Sequence, residues 1–326
     1  MQIEKNLICT DCFKKIDVSL CYKNIYHCNN CKKKISINNN FFNFEIIKID
    51  TKFDKIAKST WGKNLHHAKL KKNNEFIHSK IFIDLFSSKN LNLFRGDLLE
   101  IGSGRGNDLK HIIKNFNVNS YTALDLGDNL ENLSKLFVDN KKIKFLKCNC
   151  LKLPFENNTF EIVYSYGVFH HTEDPKKAIS ESIRVLKQDG TLIFYVYTNH
   201  ESNFLKNKLI ILEKIIVRFF NLLPNFISKS IIIFLFIPLS YIMLVFPSII
   251  LRFFKFIEFA NKFPLSFTCS FYEIYHNLQD RFLAPINYRF SRKELFSILG
   301  KYNLKETKII SLDSGEKSGH YIYAIK

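Results

Sequence analysis

The chain has 326 residues, enough for one full α/β domain with smaller attachments, and its 46% hydrophobic content excludes global disorder. A formal charge of +18 favours anionic partners, among them lipid headgroups, phosphorylated sugars and RNA. It selects none of them, because the lysines are spread along a chain uniformly rich in Lys, Asn, Ile and Phe. Residues 1–8 contain Glu4 and Lys5 and no apolar stretch of signal-peptide length, so a cytosolic location is expected. Eight cysteines in such a chain point to metal or free thiols rather than disulfides.

Cys9-x-x-Cys12 and Cys28-x-x-Cys31 are separated by fifteen residues, the spacing of a zinc ribbon in which two knuckles present four thiolates. Turn-forming Asp11, Asn29 and Asn30 surround the pairs, and the stretch 22–26 suits short hairpin strands. Four thiolates close a tetrahedral site, so structural zinc is expected, with Cys21 and His27 as lesser alternates. The module is assigned to residues 1–40, followed by a linker at 41–95 expected to be helical and to cap a cofactor. Phe53, Trp61 and His66 are candidate contacts in that linker.

From residue 96 strands and helices alternate. Strands are expected over 97–101, 121–126, 143–148, 160–166 and 191–197, and helices over 108–116, 130–137 and 175–186. Such alternation predicts a mostly parallel sheet covered on both faces, with ligands at the carboxyl ends of its strands. The first strand runs into Glu100-Ile-Gly-Ser-Gly-Arg-Gly106, where glycines allow a ligand close to the backbone. Gly102 and Gly104 could instead serve only a tight strand–helix turn. Asp125, ending the second strand, can accept from ribose hydroxyls or cap a helix.

With Asn149-Cys-Leu-Lys-Leu-Pro-Phe155, the stretch 160–171 and Lys187-Gln-Asp-Gly190 added, residues 98–197 resemble class I S-adenosylmethionine-dependent methyltransferases of the small-domain type. The resemblance implies a doubly wound, seven-stranded α/β sheet and S-adenosylmethionine as cofactor. It implies that Glu100, Gly102, Ser103, Gly104 and Gly106 cradle the amino-acid part and Asp125 the ribose. Asn149 and Cys150 would meet the adenine, with Asn149 standing where the family commonly has Asp, and Tyr166 would line the pocket. His170 and His171 are candidates for a general base, with pocket packing as the alternative. Replacing Gly102 by a bulky residue is expected to abolish cofactor binding with little unfolding.

Between the fifth strand and a helix opened by the capping box Ser291-Arg-Lys-Glu294 lie about ninety residues, far beyond an ordinary connection. The segment 201–265 is read as an apolar helical insert, with an amphipathic helix over 206–223. Residues 230–251 carry no charge and are flanked by Lys229 and Arg252. That run is long enough to span a bilayer, but strands on either side of it must share one sheet, and Pro238 and Pro247 break a straight helix. It is read as an interfacial element giving peripheral membrane contact, or else as a buried lid or dimer interface. Residues 266–326 supply a substrate-side segment, with His276, Asp280 and Tyr288 as candidates, and two last strands at 304–311 and 320–326. The segment 272–288 loosely resembles one in methyltransferases encoded near glycan and lipid biosynthesis.

The expected function is methyl transfer to a small-molecule, glycan or lipid-linked acceptor at the cytosolic membrane face. The alternative is an RNA base methyltransferase, since some ribosomal RNA guanine methyltransferases pair a zinc ribbon with this domain. A non-enzymatic binding module is the third reading.

Overall fold

The computed structural model describes residues 3–44, 77–86, 93–201, 204–220, 222–260, 271–284, 286–313 and 318–326. Phe53, Trp61 and His66 lie outside the described residues, and the linker is seen only at its ends. The chain divides into two compact units. The first comprises Met1–Tyr195, Ile298–Ile309 and Tyr321–Lys326, and the second Val196–Ser297 and Ile310–His320.

A single sheet runs through the fold, with ten strands in the order β1-β2-β3-β6-β5-β4-β7-β8-β10-β9. Strands β4 (Gly96–Ile101), β5 (Val118–Asp125), β6 (Ile143–Lys147), β7 (Phe160–Tyr166) and β8 (Leu186–Val196) pair in parallel. Leu98, Leu99, Ile101, Val163, Leu192 and Ile193 are fully buried, the continuous apolar content that a sheet covered on both faces demands. With β9 (Glu306–Leu312) and β10 (Gly319–Ile325), strands β4–β10 make the seven-stranded doubly wound sheet. The covering helices include α1 (His78–Phe86), α2 (Asn107–Asn115), α3 (Asn129–Lys135) and α4 (Pro175–Val185). Chain order reverses between β4 and β7, which puts the switch point at their carboxyl ends. The fifth strand begins earlier than residue 191. Phe160 pairs with Leu186 and Ile162 with Thr191, so residues 187–190 bulge out of the ladder, with Asp189 at φ 61°.

The other three strands come from the cysteine-rich segment, which is therefore not a separate bead. Strands β1 (Ile25–His27), β2 (Lys34–Asn38) and β3 (Phe41–Asn43) form an antiparallel meander, and β3 pairs in parallel with β6. The module thus extends past residue 40. Ile8 N–H donates to Pro154 O at 3.0 Å and Glu156 N–H to Asn6 O at 2.9 Å, fastening it a second time.

The second unit carries α5 (Phe204–Phe220), α6 (Phe226–Phe253), the short α7 (Ile257–Ala260) and α8 (Phe271–Phe282), and α9 (Arg292–Leu299) begins in it. Among the described residues α6, with 28 residues, is the one helix long and apolar enough to cross a membrane. Pro238 and Pro247 do not break it. A π-turn precedes each proline, at Ile232–Phe236 and Tyr241–Val245. Proline cannot donate to the carbonyl four residues back and its ring crowds that group, so the helix widens there instead of stopping. One face of α6, through Ile232, Ile237 and Val245, packs on Phe220 of α5 and on Ile274, Leu278 and Phe282 of α8. Its other face leaves Phe234, Leu235, Ile242, Met243, Phe246 and Phe253 exposed, Phe234 and Phe253 at 80% each.

Helix α5 is turned the same way. Lys206 and Glu213 are 4% and 7% exposed, whereas Ile211, Leu212, Ile215 and Phe219 are each more than half exposed. Glu213 is held by both Arg289 Nη2 contacts, at 2.6 and 2.8 Å, and Lys206 Nζ lies 3.3 Å from Asp313 Oδ1. A buried charge is tolerated only when paired in this way.

Candidate functional site

Strand β4 delivers the chain into the glycine loop at the switch point. Gly102, Gly104 and Gly106 have φ of +82°, +50° and +73°, a region that side chains rarely adopt. At Gly102 an added Cβ would lie 2.1 Å from Val168 Cγ2, so this glycine is required by the fold itself. At Gly104 an added Cβ would meet nothing within 4 Å, so the loop is open on that side. A bulky residue at Gly102 therefore disturbs packing, contrary to the expectation of little unfolding. Ser103 Oγ, in the same loop, is buried and has no hydrogen-bond partner among the described residues. A buried hydroxyl in that state asks for an acceptor from a ligand or water.

Asp125 closes the loop. Its Oδ2 accepts from Gly104 N–H at 2.8 Å and its Oδ1 from Gly127 N–H at 2.8 Å. It is thus no helix cap, and α3 has its N-cap at Asp128. Each carboxylate oxygen has further lone-pair capacity for a hydroxyl. Glu100 is buried beneath the loop, and its Oε2 accepts from Tyr121 Oη at 2.8 Å. Burial first, and then the Asp108 charge, push its carboxyl well above the usual range, against the pull of the Tyr121 hydroxyl. A cationic ligand group placed nearby would draw it back towards the ionised state. Asn149 follows β6 and its Oδ1 accepts from Leu151 N–H at 2.9 Å. Cys150 is buried, which pushes its thiol up to about 12.

Two further groups join this edge. Asp108, in the first turn of α2, accepts from Ser79 N–H at 2.7 Å, and its Oδ2 lies 3.1 Å from His78 Nδ1. The His78 ring stacks on Tyr166 at 3.8 Å, and Tyr166 stacks on Tyr195 at 4.4 Å. Sequence reasoning passed over His78 and Asp108. The one available signal was an acidic residue two positions after the last loop glycine.

Residues 99–194 match the family model for the methyltransferase domain, spanning the glycine loop, Asp125, Asn149 and Tyr166. They form a class I S-adenosylmethionine-dependent methyltransferase domain. The chain is 28% identical over 142 residues to sterol 24-C-methyltransferase of Saccharomyces cerevisiae, covering 41% of this chain and 36% of that protein. It is 30% identical over 148 residues to cycloartenol-C-24-methyltransferase 1 of Oryza sativa subsp. japonica, covering 43% and 42%. The matches thus span about two fifths of these relatives' length. Among solved structures it is similar to the YcgJ protein of Bacillus subtilis, at 22% identity over 43% of this chain and 59% of that one, with a TM-score of 0.35. The methyltransferase loop of this chain fits such a cofactor, with open space at Gly104 and an unpartnered Ser103 hydroxyl.

In the methyltransferase domain His170 and His171 occupy the 3-10 turn after β7, Phe169–His171. His170 is fully buried and its ring lies 4.2 Å from that of His171, a packed position rather than an open one. His276 and Asp280 lie on α8 in the second unit, and their side chains fall outside the described residues. Tyr288 belongs to the same unit, and its hydroxyl donates to Glu294 Oε1 at 2.5 Å.

At the cysteine cluster, the four Sγ atoms of Cys9, Cys12, Cys28 and Cys31 lie within 4.8 Å of one another. Cys9 faces Cys31 and Cys12 faces Cys28, each pair at 3.5 Å. A tetrahedral ion with bonds of about 2.3 Å needs sulfurs roughly 3.8 Å apart, so the cluster is compatible with zinc.

Proposed function

We propose that this protein transfers a methyl group from S-adenosylmethionine to a small-molecule, glycan or lipid-linked acceptor, sugar or quinone-like, at the cytosolic face of a membrane it binds peripherally. The observation that carries the reading is the exposed apolar stripe of α6 beside the outward apolar residues of α5. A soluble surface rarely leaves so much contiguous apolar area open to water, whereas a lipid surface covers it. Lys208, Lys214 and Arg218 on α5, and Lys229 and Arg252 on α6, supply the basic margin that anionic headgroups favour.

In this reading Gly102, Ser103, Gly104 and Gly106 hold the amino-acid end of the cofactor, and Glu100 answers its positive charge. Asp125 accepts from the ribose, Asn149 and Cys150 border the adenine, and Tyr166 walls the pocket. When bound, S-adenosylmethionine supplies an electrophilic methyl group on a sulfonium. The protein's part is then mainly to orient the acceptor in line and exclude water. His276, Asp280 and Tyr288 stand as acceptor-side candidates. The four cysteines would hold a structural zinc, closed to catalysis.

The test uses purified protein, methyl-labelled S-adenosylmethionine and extract of its source cells, with label counted separately in lipid, water-soluble and RNA fractions. Label in lipid or small molecules is expected. Label in RNA alone would overturn the reading and turn the cysteine-rich edge of the sheet into the substrate surface.

A further inference from the structure

The second unit buries two side-chain amides whose hydrogen-bonding capacity its fold does not use. Gln279, on α8, is 2% exposed, and neither its Nε2 nor its Oε1 has a hydrogen-bond partner among the described residues. Asn287, in the turn that leaves α8, has a buried Oδ1 in the same state. A buried amide left unmatched is costly, and native folds rarely keep one unless water or a ligand completes it. Ser248 and Thr122 each leave a single buried hydroxyl unmatched, whereas Gln279 leaves a donor pair and an acceptor together.

The orientation of Asn287 is set from α5. Its Nδ2 donates to Glu213 Oε1 at 3.2 Å, and a carboxylate can only accept, so Oδ1 is the end turned away from Glu213. Arg281, two residues after Gln279, has its Nη1 3.6 Å from the same carboxylate, which ties this end of α8 and the turn beyond it to one place on α5. Glu213 is also held by Arg289 Nη2 at 2.6 and 2.8 Å. Its charge is therefore answered within the fold and makes no demand on a ligand. The unmatched atoms then narrow the occupant by their chemistry. A phosphodiester or carboxylate accepts from Gln279 Nε2 but has no proton for Asn287 Oδ1. An ammonium group donates to both amide oxygens but cannot accept from Nε2. Hydroxyl groups do both. We infer that Gln279 and Asn287 form a binding site for a sugar, the hydroxyl-bearing head of the acceptor. The inference rests on the acceptor reading above, and it selects a glycan over a quinone-like ring. The same unit exposes the apolar residues of α5 and α6, which suit the tail of a lipid-linked glycan.

The test is calorimetric binding of octyl glycosides to the full-length protein below their micelle concentration, with octyl phosphate and octylammonium as probes that share the tail. At least one of the glucoside, galactoside and mannoside should bind about tenfold or more tightly than either charged probe. Gln279→Met nearly keeps the volume and removes the amide, so Q279M should lose that preference while its Tm stays at or above the native value. Q279L, a second apolar replacement, should do the same. Equal affinity for glycosides and charged probes would overturn the inference. So would an unchanged preference in both variants, or a fall in Tm of more than about 5 °C in both, since the amide would then be satisfied inside the fold. In the labelled-extract assay, label in a free or lipid-linked glycan is expected. Label in a lipid without sugar would overturn the glycan assignment and leave methyl transfer standing. Label in RNA would overturn the acceptor reading, and glycoside binding would still judge this site.

Discussion

Gly102 and Gly104 look alike in the sequence, two glycines one residue apart, and the structure gives them different work. Alanine at Gly102 would bring a methyl 2.1 Å from Val168 Cγ2 at a φ of +82°, so G102A should lower stability by about 2 kcal/mol or more. Alanine at Gly104 meets only its backbone strain, on the order of 1 kcal/mol, yet projects into the open side of the loop. G104A should therefore lose cofactor binding by calorimetry while its thermal unfolding moves only slightly. Cofactor affinity unchanged in G104A would place the ligand elsewhere. At the same scale, burial, only partly opposed by Asp313, lowers the His200 pKa from 6.5 to about 4. Between those values the unfolded chain takes up a proton that the folded one refuses, so stability is lost as pH falls from about 6.5 towards 4. His200 sits at φ 57°, a conformation that asparagine tolerates, so H200N should flatten this acid limb in urea titrations at pH 7 and pH 5.

Helix α6 shows why an uncharged run could be recognised but its shape could not. The prolines announced a break, and the backbone answered with π-turns, because an amphipathic packing face on α5 and α8 holds the helix together across them. Its exposed residues have no packing role in the fold. Replacing Phe234, Met243 and Phe253 together by serine should leave Tm within about 2 °C, since surface changes of this kind cost little. The same variant should lose co-sedimentation with vesicles containing anionic phospholipid, each buried phenylalanine contributing roughly 2 kcal/mol to the lipid contact. Native protein that stays in the supernatant would remove the membrane from the proposed function.

Across the whole molecule the sheet is longer than the methyltransferase fold requires, because β3 pairs with β6 and covers what would be an open edge. A metal held at the cysteine cluster would then be coupled to the methyltransferase sheet, since so small a module would draw much of its stability from the ion. A strong zinc chelator should lower the thermal stability of the entire chain and raise light scattering as β6 loses its neighbour. Unfolding and scattering unaffected by chelator would mean that the four cysteines hold no structural ion.

Local pattern determined a good deal here. The alternation of apolar runs with helical periods, the glycine loop with its acidic flank, and the paired Cys-x-x-Cys spacing are contiguous features, and each is legible within about twenty residues. Strand boundaries came within a few positions, except at β8, where the register of the neighbouring strand absorbs four residues as a bulge. Contacts between distant segments decided the rest. His78 reaches Asp108 across thirty positions, the cysteine-rich meander finds β6 across about a hundred, and α5 turns Lys206 and Glu213 inward because Asp313 and Arg289 wait there. Pairings of that kind carry no local periodicity, and their energy exists only once the chain has brought the partners out of water together.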